Sequence, residues 1–173
     1  MGQVPPGYVQ LQDSEQHPAP GARRVGPANA DEMICVSVRV RPRPGAPPLP
    51  EMNDWGATPV PERRYLSQEE YAEKYGADPG DLKQIADFAQ SAGLTVVESS
   101  VARRTVVLSG TVAHMQGAFA VTLARYKSGD VEYRGREGFI YVPAALGKIV
   151  EGVFGLDNRR VARPAGNGGM PPA

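Results

Sequence analysis

The chain has 173 residues, with 19 basic and 19 acidic side chains and no formal net charge at neutral pH. That length suits one domain with tails and allows a real core, while the balanced charge gives no electrostatic basis for gripping nucleic acid or an anionic membrane. A single cysteine, Cys35, excludes an internal disulfide and a Cys-based zinc site, and no apolar run is long enough to span a bilayer.

Residues 1–30 carry five prolines and four glycines with few large apolar groups. Such a composition buries too little surface to offset its ordering entropy, so a flexible N-terminal arm is expected. Its first residues lack the basic start and apolar stretch of a signal peptide, and the chain reads as soluble. From Met33 to Arg41 the sequence alternates strictly and predicts a strand, with Ile34, Val36, Val38 and Val40 on one face and Cys35, Ser37, Arg39 and Arg41 on the other. Residues 42–61 hold seven prolines and read as an irregular connection. Ser67-Gln-Glu-Glu70 is a capping box that opens a short helix to about Tyr75. Asp78-Pro79 starts a second helix, with Leu82, Ile85, Ala86, Ala89 and Ala92 at helical spacing before Gly93.

Leu94–Ser99 and Arg104–Ser109 predict a hairpin, and Thr111 caps a third helix that buries Val112, Met115 and Phe119. Val121–Tyr126 and Val131–Arg134 flank the turn Lys127-Ser-Gly-Asp130, a second hairpin, and Phe139–Val142 adds a short strand. Pro143 then opens a last predicted helix with Leu146, Ile149, Val150 and Val153 on one side. Two hairpins among interleaved helices imply an α+β fold, a largely antiparallel sheet with helices packed on one face.

The catalytic inventory is thin. A serine hydrolase needs a base, an orienting carboxylate and oxyanion donors around its hydroxyl, and the only histidines are His17 in the arm and His114 in a helix. Ser109 is therefore read as a strand end and turn residue, and His114 as a helix-surface imidazole. Glu69 and Glu70 serve the helix start rather than acid–base chemistry. Cys35 is a structural thiol, and no phosphate-binding glycine motif occurs, so neither cofactor nor metal is expected.

Tyr65-Leu-Ser-Gln-Glu-Glu-Tyr-Ala-Glu-Lys-Tyr-Gly76, Gly93-Leu-Thr-Val-Val97, Arg104-Thr-Val-Val-Leu-Ser-Gly110, Phe119, Tyr133-Arg134 and Val153-Phe-Gly-Leu-Asp157 together resemble one family. It is the activation prodomain of the sedolisins, the serine-carboxyl peptidases, with the nearest likeness to the kumamolisin prodomain. The resemblance spans about residues 33–163, within a domain set at 31–163 and followed by a flexible C-terminal linker, 164–173. It implies a ferredoxin-like plait whose open sheet face docks on a subtilisin-like catalytic domain. The implied role is intramolecular chaperone and inhibitor within a secreted precursor, released by acid, with no enzyme activity of its own and a monomeric state when isolated. Ser37, Arg39, Arg41, Arg159, Arg160 and Arg163 are the expected partner-binding residues. Two other readings are a stand-alone plait binding module without an attached peptidase and a small hydrolase using Ser109 and His114.

Overall fold

The computed structural model describes residues 4–48 and 66–159. Its elements in chain order are β1 (Tyr8–Gln10), β2 (Arg23–Pro27), β3 (Met33–Val40), α1 (Gln68–Tyr75), α2 (Pro79–Ser91), β4 (Thr95–Ser100), β5 (Thr105–Thr111) and α3 (Val112–Phe119). After these come β6 (Leu123–Ser128), β7 (Val131–Arg136), β8 (Tyr141–Pro143), a 3₁₀ turn at Ala144–Leu146, and β9 (Val150–Phe154).

The central sheet has the order β4-β5-β3-β9, and every neighbouring pair is antiparallel. In chain order its parts are strand, helices, strand, strand, helix, strand, and the first strand lies between the third and the fourth. That is the split β-α-β arrangement of the ferredoxin-like plait. Ile34, Val36, Val38 and Val40 of β3 are buried, and with Val106 and Leu108 of β5 they form the floor of the core. Its roof is Leu82, Ile85 and Ala89 of α2 together with Val112, Met115, Ala118 and Phe119 of α3.

Local chemistry sets the helix starts. Ser67 accepts from the Glu70 amide at 3.1 Å while Glu70 accepts from the Ser67 amide at 2.9 Å, so two otherwise orphaned donors are satisfied reciprocally. Asp78 caps α2 through the Gly80 amide, and Thr111 caps α3 through the His114 amide.

Three expectations are corrected. Residues 4–30 are not a bare arm: β1 pairs with β8 and β2 pairs with β6, which extends the β6–β7 hairpin to three strands. Backbone ladders hold this segment, aided by Ser14 Oγ, which donates to the Leu11 carbonyl and accepts from the Ile140 amide. A hydrophobicity count does not register such bonds. The helix expected after Pro143 is one 3₁₀ turn followed by β9, because Val150 and Val153 pair with Val40 and Val38 of β3. Finally, Ser109 lies inside a strand, since β5 continues through Gly110 and Thr111 opposite Ile34 and Met33.

Candidate functional site

The side of the central sheet away from the helices carries no covering element among the described residues. Strand alternation places Met33, Cys35, Ser37 and Arg39 of β3 there, beside Thr105, Val107, Ser109 and Thr111 of β5. On β9 the register puts Phe154 opposite Ser37 and Gly152 opposite Arg39. Met33 is 63% exposed and Phe154 59%. A Cβ on Gly152 would stand 2.8 Å from the Phe154 ring, so the ring lies flat along its own strand over the space that glycine leaves. Gly155, at φ +101°, then turns the chain close against the Cys35 carbonyl, a place and a conformation that a side chain would disturb.

Charge gathers at one end of this face. Glu151 Oε2 lies 3.5 Å from Arg39 Nε and 3.2 Å from Arg104 Nη1, while Arg104 also donates to the Val40 carbonyl. Arg103 is paired with Glu98 on the neighbouring edge. The arrangement is a hydroxyl-bearing centre with ion pairs gathered at one end.

The expected partner-binding residues do not all meet here. Ser37 and Arg39 do. Arg41 does not: beyond the last residue of β3 its guanidinium turns to α2 and grips the buried Asp81 with two bonds, of 2.7 and 3.2 Å. That hydrogen bond, more than the opposing desolvation, raises the Arg41 pKa above the usual guanidinium value. Arg159 lies on the hairpin, with its guanidinium 5.9 Å from the Tyr133 ring centroid and donating to the His17 carbonyl. Arg160 and Arg163, like the linker 164–173, lie outside the described residues.

Arg159 is placed there by a clamp. Arg134 of β7, 8% exposed, pairs with Glu32 and donates to the carbonyls of Leu156 and Gly155. Its amide donates to Asn158 Oδ1 at 2.6 Å while its carbonyl accepts from the Asn158 amide at 3.0 Å. The segment that follows β9 is thus bound to β7 across its length. Sequence reading placed no role on Arg134 or Phe154; the apolar run Val106-Val107-Leu108 and the Val-Phe pair at 153–154 were the available signals for residues on both faces.

Ser109 and His114 occupy opposite sides of the sheet. Ser109 faces outward beside Cys35, whereas the His114 imidazole packs on Gly93 at the end of α2. Among the described residues no three histidine, cysteine or acidic side chains gather to hold a metal ion, and no helix is long and apolar enough to cross a membrane.

Comparison with known families decides the lineage: residues 20–159 match the profile described as Pro-kumamolisin, activation domain. The chain belongs to the pro-kumamolisin activation domain family. It is 33% identical over 171 residues to tripeptidyl-peptidase sed5 of Aspergillus fumigatus, covering 90% of this chain and 29% of that protein. It is 38% identical over 146 residues to kumamolisin of Bacillus sp. strain MN-32, covering 84% of this chain and 26% of the relative. Xanthomonalisin of Xanthomonas sp. strain T-22 is 25% identical over 95 residues, 55% of this chain and 12% of its own. The chain therefore spans less than a third of the length of the curated relatives it matches. It is an activation prodomain of peptidase precursors and not their catalytic domain.

Proposed function

We propose that this activation domain is the prodomain of a secreted serine-carboxyl peptidase zymogen, serving as intramolecular chaperone and inhibitor of a subtilisin-like catalytic domain until acid triggers processing. The observation that carries the reading is the uncovered sheet face, with Phe154 and Met33 standing exposed among small hydroxyl-bearing neighbours. Two large apolar side chains left exposed on one uncovered sheet face, Phe154 at one end and Met33 at the other, support a surface that a partner covers. The rigid sheet behind it holds that surface in shape before the partner arrives, which suits a template for folding as well as a plug.

Release follows from the rim. Arg39 keeps its charge at every accessible pH, so a bond from it to a partner depends on ionised carboxylates opposite. Those carboxylates have depressed pKa values in the complex. Their stabilisation is therefore complete above the free values near ~4 and is lost as pH falls through the depressed ones. Binding to a cognate catalytic domain, titrated from neutral to acid, should hold steady and then weaken below about pH 4, with the same profile after His17→Ala and His114→Ala. Constant affinity down to about pH 3 would remove the acid switch, and a midpoint near ~6.5 that vanishes in the histidine variants would assign it to imidazole.

The isolated domain should cleave no peptide substrate at any pH, and Ser109→Ala should change nothing, because the sheet stands between that hydroxyl and His114. Peptide cleavage that disappears in Ser109→Ala would overturn the reading.

A further inference from the structure

A second feature of the molecule lies at the edge of the sheet rather than on its face. A cavity of about 520 Å³ runs between Leu11–Gln16 on one side and Glu151–Asp157 on the other, with Arg136 and Ile140 also in its walls. No residue of β3 lines it. The slot therefore follows the outer edge of β9, the edge turned away from its partner strand. Among the described residues no backbone hydrogen bond joins Glu151–Phe154 to the opposite wall, so that edge keeps its donors and acceptors unused.

The opposite wall is firmly built. Gln16 and Gly138 exchange two backbone bonds, Leu11 donates to the Ile140 carbonyl, and Arg136 spends its guanidinium on the carbonyls of Ser14 and Gly138. Burial lowers the Arg136 pKa below its usual value, opposed by Asp157. A slot with one unpaired strand edge and one rigid wall is the geometry of strand addition, in which an extended peptide supplies the missing ladder.

Charge selects the guest. Four acids, Asp13, Glu15, Glu151 and Asp157, line the slot against Arg136 and Arg159. Glu151 is engaged by Arg39 and Arg104, and Asp157 accepts from the Arg159 amide. Asp13 has no ion pair among the described residues, and the one partner of Glu15 is His17 at 3.7 Å, which attracts it only when protonated. Both arginines already donate to backbone carbonyls of the wall or of His17. Those carbonyls are neutral and leave both arginine charges in place, so with Glu151 answered by Arg39 and Arg104 the slot holds three acids, Asp13, Glu15 and Asp157, against two arginines, a surplus of negative charge.

We infer that the outer edge of β9 is a strand-addition site for an extended, basic segment of another polypeptide, held by backbone pairing to β9 and by Asp13 and Glu15 across the slot.

The test is a titration of the full chain, labelled with nitrogen-15, against a blocked heptapeptide of alternating lysine and valine. It uses no peptidase domain, so its outcome is independent of docking on the open face. Shifts concentrated at residues 11–16 and 151–157 are expected, with affinity reduced about fivefold in Asp13→Asn/Glu15→Gln, as two exposed charge contacts allow. Asparagine at position 13 keeps the left-handed backbone found there (φ 54°), so the fold is preserved. Shifts centred on residues 95–100 would place pairing on the β4 edge instead and overturn the assignment. Equal binding by a glutamate–valine heptapeptide, or no binding at millimolar peptide, would overturn it as well.

Discussion

Replacing Phe154 by alanine should weaken binding to a cognate peptidase catalytic domain by about thirtyfold or more, the scale found when an aromatic anchor is removed from an interface. The ring is exposed, resting on Gly152 and flanked by Ser37 on β3, so in the free domain it contributes little to the core. Fold stability should change by less than ~1 kcal/mol. Arg39→Glu should have a smaller effect, felt chiefly in the association rate and its salt dependence, because the residue stands at the rim and already has Glu151 near it. Val131→Ala serves as control, since that side chain is equally exposed but belongs to the β6–β7 hairpin. Affinity is read by titration calorimetry or competition with substrate cleavage. An undiminished affinity in Phe154→Ala would take the docking surface off this face.

The largest loss of stability is expected from Arg134→Met. The guanidinium is nearly enclosed, pairs with Glu32 and supplies donors to the carbonyls of Gly155 and Leu156. Removing one partner of a buried pair costs about 3–5 kcal/mol, because what remains cannot be fully rehydrated. Glu32 is itself partly exposed and can recover water, which places the expectation at the lower end, about 3 kcal/mol. Glu32→Gln should cost only ~1 kcal/mol, since the amide oxygen still accepts from Arg134. Urea unfolding checks both: the midpoint should fall while the denaturant slope stays constant. An unfolding free energy for Arg134→Met within ~1 kcal/mol of the parent would show that the carbonyls after β9 find other donors.

What could be read from the sequence was local. The Ser67–Glu70 reciprocal cap, the Thr111 cap, the alternation of β3 and the Lys127–Asp130 turn each depend on a few adjacent residues, and each stands in the structure. What escaped reading depends on distant partners. Leu146, Ile149, Val150 and Val153 fit a helical stripe, and the free edge of β3 makes Val150–Phe154 a strand instead. Residues 8–10 and 23–27 are short runs set among prolines and glycines, and they are ordered by β8 and β6, about a hundred residues or more downstream. Arg41 continues the outward alternation on paper, but it lies beyond the last paired residue of β3 and is free to reach Asp81. The open sheet face was legible in half: alternation gave Ser37 and Arg39, while Phe154 stayed hidden because its strand was read as a helix. The family resemblance supplied the plait itself, through short motifs whose order carries more than any one of them.

The strand order β4-β5-β3-β9 also sets an expected order of assembly. β4 and β5 are joined by a tight connection and can pair early, and β3 can join them once β5 exists. β9 comes last in the sequence, and it must find Val38 and Val40 across the whole span of the intervening helices and hairpins. Pairing at that sequence separation carries the largest loop-closure entropy in the sheet, so β9 is expected to join last. Until it joins, β3 is expected to show a bare edge of β-branched residues, the kind of edge that recruits other chains. Arrival of β9 closes that edge, and the same event brings Phe154 into register on the open face. On that order the open face gains Phe154 only with the last strand, so a chain halted before β9 pairs would present an unfinished face.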